Sequence, residues 1–328
     1  MLTLLKLLKD GRFHSGEALG AALGVSRSAV WKQLQHLEAE LNLPIHKVRG
    51  KGYQLASPLV FLSAEDIALH APSLAWPVHI SDSIDSTNAE ALRLVDAGCA
   101  APFLVLAEQQ TAGRGRRGRK WVSPFAQNVY YSLVLRIEAG LRQLEGLSLV
   151  VGLAVMQALR ESGVRGAVLK WPNDVLVGQK KIAGILLELV GDPADICHVV
   201  LGIGINVNMQ RADEVDQQWT SVQLETGFPV DRNALVAQLG LQLQDYLERH
   251  RLGSPCIPGR AGQFQSDLFG GPGHRRRCRR GLDLEGVLRL DRAEQGDNGD
   301  RGKHERLQRH LGLLSLIASV LSKASVAG

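Results

Sequence analysis

The sequence predicts an α+β chain built as an N-terminal winged helix-turn-helix, a mixed-sheet body and a C-terminal segment of different character. Three observations predict it. Residues 1–60 carry three helical patterns followed by a glycine-turned hairpin. From Val78 onward strand and helix patterns alternate. Two pairs of those strands are joined by connections too short for a helical crossover, so they are expected to be antiparallel, which excludes a doubly wound sheet.

In the first unit, Leu2, Leu4, Leu5, Leu7 and Leu8 line a helix ending near Asp10-Gly11. With Lys6, Lys9 and Asp10 among its leucines and no small-residue cleavage site, it reads as an amphipathic helix and not as a signal peptide. Ser15 is placed to cap a second helix, Gly16 to Leu23, with Glu17 in its first turn. Gly24 ends that helix and Ser26 caps a third, Arg27 to about Leu41, whose Val30, Leu34, Leu37 and Leu41 define one buried face. The short Gly24-Val25-Ser26 connection is a helix-turn-helix signature. Ile45–Val48 and Tyr53–Leu55 flank the glycine turn Arg49–Gly52 and form the wing. Ser26, Arg27, Ser28, Trp31 and Lys32 open the expected recognition helix, and Arg49 and Lys51 sit at the wing tip, in reach of phosphates or a minor groove. The alternative reading is a winged helix used for protein contacts, since fold alone does not prove DNA binding.

Ser57-Pro58 closes this unit and Ser63 caps a linking helix, Ala64 to Leu69. The body offers strands at Val78–Ser81, Phe103–Gln109, Val129–Leu135, Val168–Trp171, Asp174–Val177, Lys181–Leu189 and His198–Asn206, with helices at Thr87–Ala97, Leu144–Glu161 and Asn233–Arg251. The expected domains are therefore 1–60, 61–252 and 253–328.

Charge follows the same division. The net +5 resolves into +4 over residues 1–60, −4 over 61–252 and +5 over 253–328, so a small basic unit, of a size that suits nucleic acid, precedes a mildly acidic body. With 45% hydrophobic and 22% charged residues the composition is that of a soluble globular chain, and no stretch approaches the ~18 apolar residues of a membrane span. The four cysteines, Cys99, Cys197, Cys256 and Cys278, lie far apart without a CxxC pair, which argues against a zinc site or disulfide framework and fits a reducing cytoplasm.

The most informative motif is Gly113-Arg114-Gly115-Arg116-Arg117-Gly118-Arg119-Lys120-Trp121. It matches GxGxxG in letters only, because five cations fill the positions around the glycines, and Ser123-Pro124 follow where a dinucleotide fingerprint needs a helix packed on a sheet. Glycines let backbone approach a ligand, and arginines offer forked donors to carboxylate and phosphate oxygens. The loop suits either an enclosed polyanion or a nucleic-acid patch. Ser86-Thr87-Asn88 opens a helix after an extended segment, Lys170-Trp171-Pro172-Asn173-Asp174 is a strand end with a proline-set turn, and Lys181-Ile182-Ala183-Gly184-Ile185-Leu186 begins an apolar strand with a cation at its mouth. In Gly202-Ile203-Gly204-Ile205-Asn206 two glycines leave room against a strand, for a ligand or as a bulge. No Ser-His-Asp or Cys-His nucleophile is evident.

Taken in this order, Ser86-Thr87-Asn88, Gln109, GRGRRGRKW, KWPND, KIAGIL and GIGIN resemble the biotin protein ligases. With the N-terminal winged helix, about residues 1–250 are similar to the bifunctional biotin ligases and biotin-operon repressors of bacteria. The resemblance implies ATP-dependent formation of biotinoyl-5'-AMP and transfer to a lysine of the biotin carboxyl carrier protein of acetyl-CoA carboxylase. It implies operator DNA as a second partner, a homodimer when adenylate is bound, and a cytoplasmic location. Ser86, Thr87, Asn88 and Gln109 would hold the ureido ring. Gly113 to Arg116, including Gly115, would close over biotin, while Tyr130, Gly184 and Gly204 line its pocket. Arg114, Arg116 and Lys181 are the implied catalytic residues, with Lys181 between the biotin carboxylate and the α-phosphate; KIAGIL sets the register on Lys181 and not Lys180. Arg119, Trp121, Asn173 and Asn206 fall to the nucleotide, with Trp121 against the adenine. Mg²⁺ would arrive mainly with ATP, and Asp174 is either a metal-associated position or a turn residue.

Family members of this length end in a small SH3-like barrel, and here the sequence departs. Gly281–Leu290 resembles a strand-turn-strand of that barrel, but Arg275–Arg280, an Asp/Gly/Arg-rich stretch and a leucine-rich helix, Leu307–Leu321, do not, and no aromatic residue follows Phe269. A frameshifted tail, a divergent barrel and a basic nucleic-acid-binding tail are the three readings; translating the neighbouring frames of the coding DNA separates the first from the others.

Overall fold

The computed structural model describes residues 2–41, 43–137, 146–170, 172–191 and 197–251. The readings made for residues 253–328, including Gly281–Leu290 and the helix Leu307–Leu321, lie outside them, as do Trp171 and the expected helix start at Leu144.

The first unit comprises α1 (Leu2–Leu8), α2 (Gly16–Leu23), α3 (Arg27–Leu41), β1 (Ile45–Val48) and β2 (Gly52–Leu55). Its boundaries follow from local chemistry. The Ser15 hydroxyl accepts from the Ala18 amide at 3.0 Å, satisfying a donor that the first helical turn leaves free, and Gly24 ends α2 in the left-handed region at φ 67°. The Ser26 hydroxyl caps α3 by accepting from the Ala29 amide at 3.2 Å. Leu4, Leu5, Leu8, Val30, Leu34 and Leu37 are buried together, while Leu7 and Leu41 are half-buried at the margin of that core. β1 and β2 pair antiparallel, and His14 adds a bridge to Tyr53 that makes a third edge of the wing. Gly52 stands at φ 106° hard against the His14 backbone, where no side chain fits.

The body contains α4 (Ala64–His70), β3 (Val78–Ser81), α5 (Thr87–Asp96), β4 (Phe103–Ala107), β5 (Val129–Ile137), α6 (Leu147–Glu161), β6 (Ala167–Lys170), β7 (Asp174–Val177), β8 (Lys180–Gly191), β9 (Cys197–Ile205), α7 (Val222–Thr226) and α8 (Arg232–Arg251). One seven-stranded sheet runs β3-β4-β5-β9-β8-β7-β6, with β3 and β4 parallel and every other pair antiparallel. The two expected hairpins, β7–β8 and β8–β9, are thus present. Strand alternation divides β4: Leu104 and Leu106 join the large core under α6 and α8, whereas Phe103 and Val105 pack with Ala91 of α5 on the opposite face. α7, a five-residue helix capped by Ser221, has no counterpart among the expected elements; it is too short for a periodic signal.

The two parts share a junction. Phe125 of the body belongs to the core of the winged unit and meets Phe61 edge-on at 6.1 Å. Beneath it Glu108 and Arg232 form an ion pair at 2.6 Å, with 2% and 1% side-chain exposure. Glu108 also accepts from the Leu62 amide, and Arg232 donates to the carbonyls of Val60 and Asn128, so the linker is held at two backbone points and tied to the body before β5. Among the described residues no helix is long and apolar enough to cross a membrane.

Candidate functional site

Three glycines make the floor. Gly184 on β8 is in register with Gly204 on β9, which is in register with Tyr130 on β5. The Trp121 indole lies over both glycines, so close that a Cβ on Gly204 would fall 2.5 Å from its Cε2. Gly202 likewise admits the Asn88 amide. The glycines of this central strand make room for side chains rather than form a bulge; the irregularity of register in this region lies between Val175 and Leu176 on β7.

The glycine-arginine segment is a tight hairpin. Trp121 donates its amide to the Gly113 carbonyl at 2.9 Å, Gly115 donates to Arg119 at 2.7 Å, and a 3₁₀ turn spans Arg116–Gly118. Arg117 takes a left-handed φ of 57° at the tip, a strained conformation for a side chain of its size. The hairpin carries Arg114, Gly115, Arg116 and Trp121 to a pocket also lined by Ser86, Thr87, Asn88, Gln110, Tyr130, Asn173, Lys181, Gly184 and Gly204.

Each cation in the pocket has a protein partner. Arg114 pairs with Glu188 at 3.1 Å, Arg116 donates to the Asn173 side-chain oxygen at 2.8 Å, and Lys181 pairs with Asp174 at 2.8 Å while its Nζ stands 5.3 Å from the centre of the Trp121 ring. A polar chain connects the other wall. Thr87 donates both its amide and its hydroxyl to Gln110 Oε1, at 2.9 and 3.1 Å, and the Ser132 hydroxyl lies between those of Thr87 at 2.8 Å and the Asn88 amide oxygen at 2.5 Å. Ser86 precedes α5, buried, with its hydroxyl making no capping bond to the helix. Tyr130 is buried and donates to the Pro124 carbonyl at 2.8 Å; burial pushes its phenol well above the ordinary value, so it stays protonated.

Four expected positions lie elsewhere. Gln109 faces away from the pocket, toward the Ser83 hydroxyl at 3.4 Å, and its neighbour Gln110 takes the place expected for it; adjacent residues of extended chain point to opposite sides, so a one-residue slip inverts the assignment. Arg119 is exposed at the outer side of the hairpin and does not line the pocket. Asn206 is buried with its amide donating to the Thr220 and Lys181 carbonyls at 3.0 and 3.4 Å, which fixes the segment before α7 and leaves it outside the pocket. Asp174 lies beside the pocket, its carboxylate engaged by Lys181. Among the described residues no three His, Cys, Asp or Glu side chains converge as metal ligands.

Sequence reasoning missed Gln110, which lines the pocket, and Ser132 and Glu188, which support it by bonding to the lining residues Thr87, Asn88 and Arg114. Ser132 follows Tyr130 by two on β5, and Glu188 follows Gly184 by four on β8, so strand periodicity from a known pocket residue could have found both.

In the winged unit Arg27, Ser28, Trp31 and Lys32 are exposed at the start of α3, and Ser26 is engaged as its cap, with Ser28 2.9 Å away. The wing meets this helix where Lys47 Nζ lies 5.5 Å from the centre of the half-exposed Trp31 ring, and Lys51 Nζ stands 5.8 Å from that of Phe13, ahead of α2. Arg49 and Lys51 are exposed in the turn between β1 and β2.

A winged helix-turn-helix fused to a mixed sheet with a glycine floor, an arginine hairpin and a strand-borne lysine defines a two-part protein with an anion-collecting pocket. Residues 80–206 match the Biotin/lipoate A/B protein ligase family, and residues 1–54 match an HTH domain. The chain is 43% identical over 249 residues to the bifunctional ligase/repressor BirA of Salmonella typhimurium, covering 75% of this chain and 76% of that protein. It is 35% identical over 244 residues to the BirA of Bacillus subtilis, covering 72% and 75%. Among solved structures, the biotin protein ligase of Aquifex aeolicus in complex with biotin and ATP superposes with a TM-score of 0.50 at 32% identity, over 59% of this chain and 78% of that one. The chain belongs to the biotin protein ligase family, among its bifunctional ligase/repressor members.

Proposed function

We propose that this chain activates biotin with ATP to biotinoyl-5'-AMP and passes the biotinoyl group to a lysine of the biotin carboxyl carrier protein of acetyl-CoA carboxylase, and that its winged unit represses biotin-synthesis genes at operator DNA. The observation that carries this reading is the convergence of Arg116 and Lys181, from a hairpin and a strand, on one glycine-floored pocket. The domains we assign are 1–60 for DNA and 61–252 for catalysis, with 253–328 a divergent or frameshifted C-terminal sequence. A cytoplasmic location and a homodimer in the adenylate-bound state belong to the same reading.

The chemistry demands these residue types. A biotin carboxylate oxygen must bond to the α-phosphorus of ATP as the bond to the β-phosphate oxygen breaks and pyrophosphate leaves. Two anions repel, and Arg116 with Lys181 offsets that repulsion where charge develops. Both cations already stand on neutral or acidic partners, Asn173 and Asp174, which hold them in place without ligand. Ser86, Thr87, Asn88 and Gln110 offer the hydrogen-bonding wall that a ureido ring needs. Arg114, Gly115 and Trp121 bring the hairpin over the product, and exclusion of water keeps the mixed anhydride from hydrolysis. In the second half-reaction the neutral amine of the acceptor lysine attacks the acyl carbonyl, an amide forms with loss of a proton, and AMP leaves. Any Mg²⁺ would accompany the nucleotide phosphates, with Asp174 as the carboxylate beside the pocket.

Incubation of the full chain with biotin, ATP and a carrier domain, followed by streptavidin detection, tests the ligase reading. Carrier-bound biotin that requires ATP supports it, and none under any condition contradicts it. A gel shift on operator DNA that strengthens when biotin and ATP are added supports repression; equal binding with and without them contradicts the regulatory half.

A further inference from the structure

Glu188 on β8 lies outside every motif in the sequence, yet it joins two walls of the pocket. One carboxylate oxygen, Oε2, accepts from Asn88 Nδ2 at 2.6 Å and from Arg114 Nη2 at 3.1 Å. Asn88 is in the first turn of α5 and 4% exposed, with its amide oxygen accepting from the Ser132 hydroxyl. An amide so fixed must present its nitrogen to an acceptor-only group, so Glu188 decides how Asn88 meets the pocket. Arg114 begins the hairpin and is bridged to Lys120 across it. The carboxylate therefore clamps the cationic hairpin to α5. A negative charge in an anion-collecting site weakens its field, and a clamp is a physical reason for one to stand there.

We propose that Glu188 is a positioning residue for the biotin half of the site, holding the arginine hairpin against α5 so that biotin and its adenylate are retained. This inference rests on the ligase reading above. Arg116, although on the same hairpin, keeps its own bond to Asn173, and Lys181 is held by Asp174, so loss of the clamp acts first on the biotin side.

The test compares the full-length wild type with Glu188→Ala and Glu188→Gln, using biotin, ATP and a carrier domain. Loss of two charge-assisted bonds in Glu188→Ala should raise KM for biotin about tenfold, leave KM for ATP unchanged, and speed the escape of labelled biotinoyl-adenylate from the enzyme. Glu188→Gln keeps an acceptor for Asn88 but loses the charge facing Arg114, and should fall between. Were Glu188→Ala not to fold, Glu188→Gln against wild type carries the same comparison. A scaffolding role alone would lower the melting temperature and the active fraction while leaving biotin KM and adenylate escape at wild-type values, and that result overturns the inference. A wild type that forms no adenylate overturns the parent reading and this one with it; an active wild type with unaltered variants overturns this one alone.

Discussion

Gly184 and Gly204 face each other in register across β8 and β9, and the Trp121 indole lies across both. Shape at this point is set by the absence of two methyl groups. Gly204→Ala would place a Cβ 2.5 Å from the indole, a distance that forces the ring to move. The variant should bind biotin at least about tenfold more weakly, consistent with overpacking of ~1–3 kcal/mol. Calorimetric titration with biotin checks the affinity, and tryptophan emission checks that the indole has shifted; unchanged values of both would refute the packing argument.

The two adjacent glutamines separate by side of chain. Gln110 accepts from the Thr87 amide and hydroxyl within the pocket, whereas Gln109 faces Ser83. Gln110→Ala should raise KM for biotin by about tenfold, the cost of leaving two donors unmatched. Gln109→Ala should stay within about twofold of wild type. Steady-state biotinylation kinetics on the two variants decide the register, and the reverse order would restore Gln109.

Much of the architecture was legible because short-range chemistry dictates it. Ser15, Ser26 and Ser63 cap helices where their spacing before apolar runs predicts, and β3 and β7 have the expected ends. The pocket was legible where a motif has charge or glycine in it, as at Arg116, Lys181 and Gly204. It was illegible where position depends on partners distant in sequence. Asn206 looks like a ligand residue from its place after GIGI, yet the carbonyls of Thr220 and Lys181 claim its amide. Periodicity from Gly184 puts Glu188 on the pocket side of β8, but its partners Asn88 and Arg114 come together only once α5 and the hairpin are folded against it.

The buried Glu108–Arg232 pair makes a stability prediction. Each partner has 2% exposure or less, and between them they hold Leu62, Val60 and Asn128. Glu108→Gln leaves a guanidinium buried without its counter-charge, which costs about 3–5 kcal/mol. Urea denaturation should show a loss of unfolding free energy of that size, read as a lower midpoint at unchanged slope. A loss below about 1 kcal/mol would mean that the guanidinium finds water instead.

Asp85 carries a pH signature. Side-chain hydrogen bonds from the Arg93 guanidinium are the chief cause of its carboxyl dropping to about 2, and the Ser86 amide adds to them. A folded pKa below the unfolded value means stability that is complete above the unfolded pKa of about 4 and lost as pH falls through about 2. The pair is nearly half exposed, so its effect is small and sensitive to salt. Melting curves of wild type and Asp85→Asn should differ at pH 5 to 7 and converge near pH 2; a constant difference across that range would contradict the assignment.

Biotin-dependent exchange of labelled pyrophosphate into ATP measures the step we assign to Arg116 and Lys181, the meeting of the biotin carboxylate with the ATP α-phosphate. The wild-type chain should support exchange, and Lys181→Met and Arg116→Ala should each lower it by about 10²–10³ while melting temperature stays near wild type. Exchange at the wild-type rate in a folded Lys181→Met variant would show that Lys181 takes no part in that step.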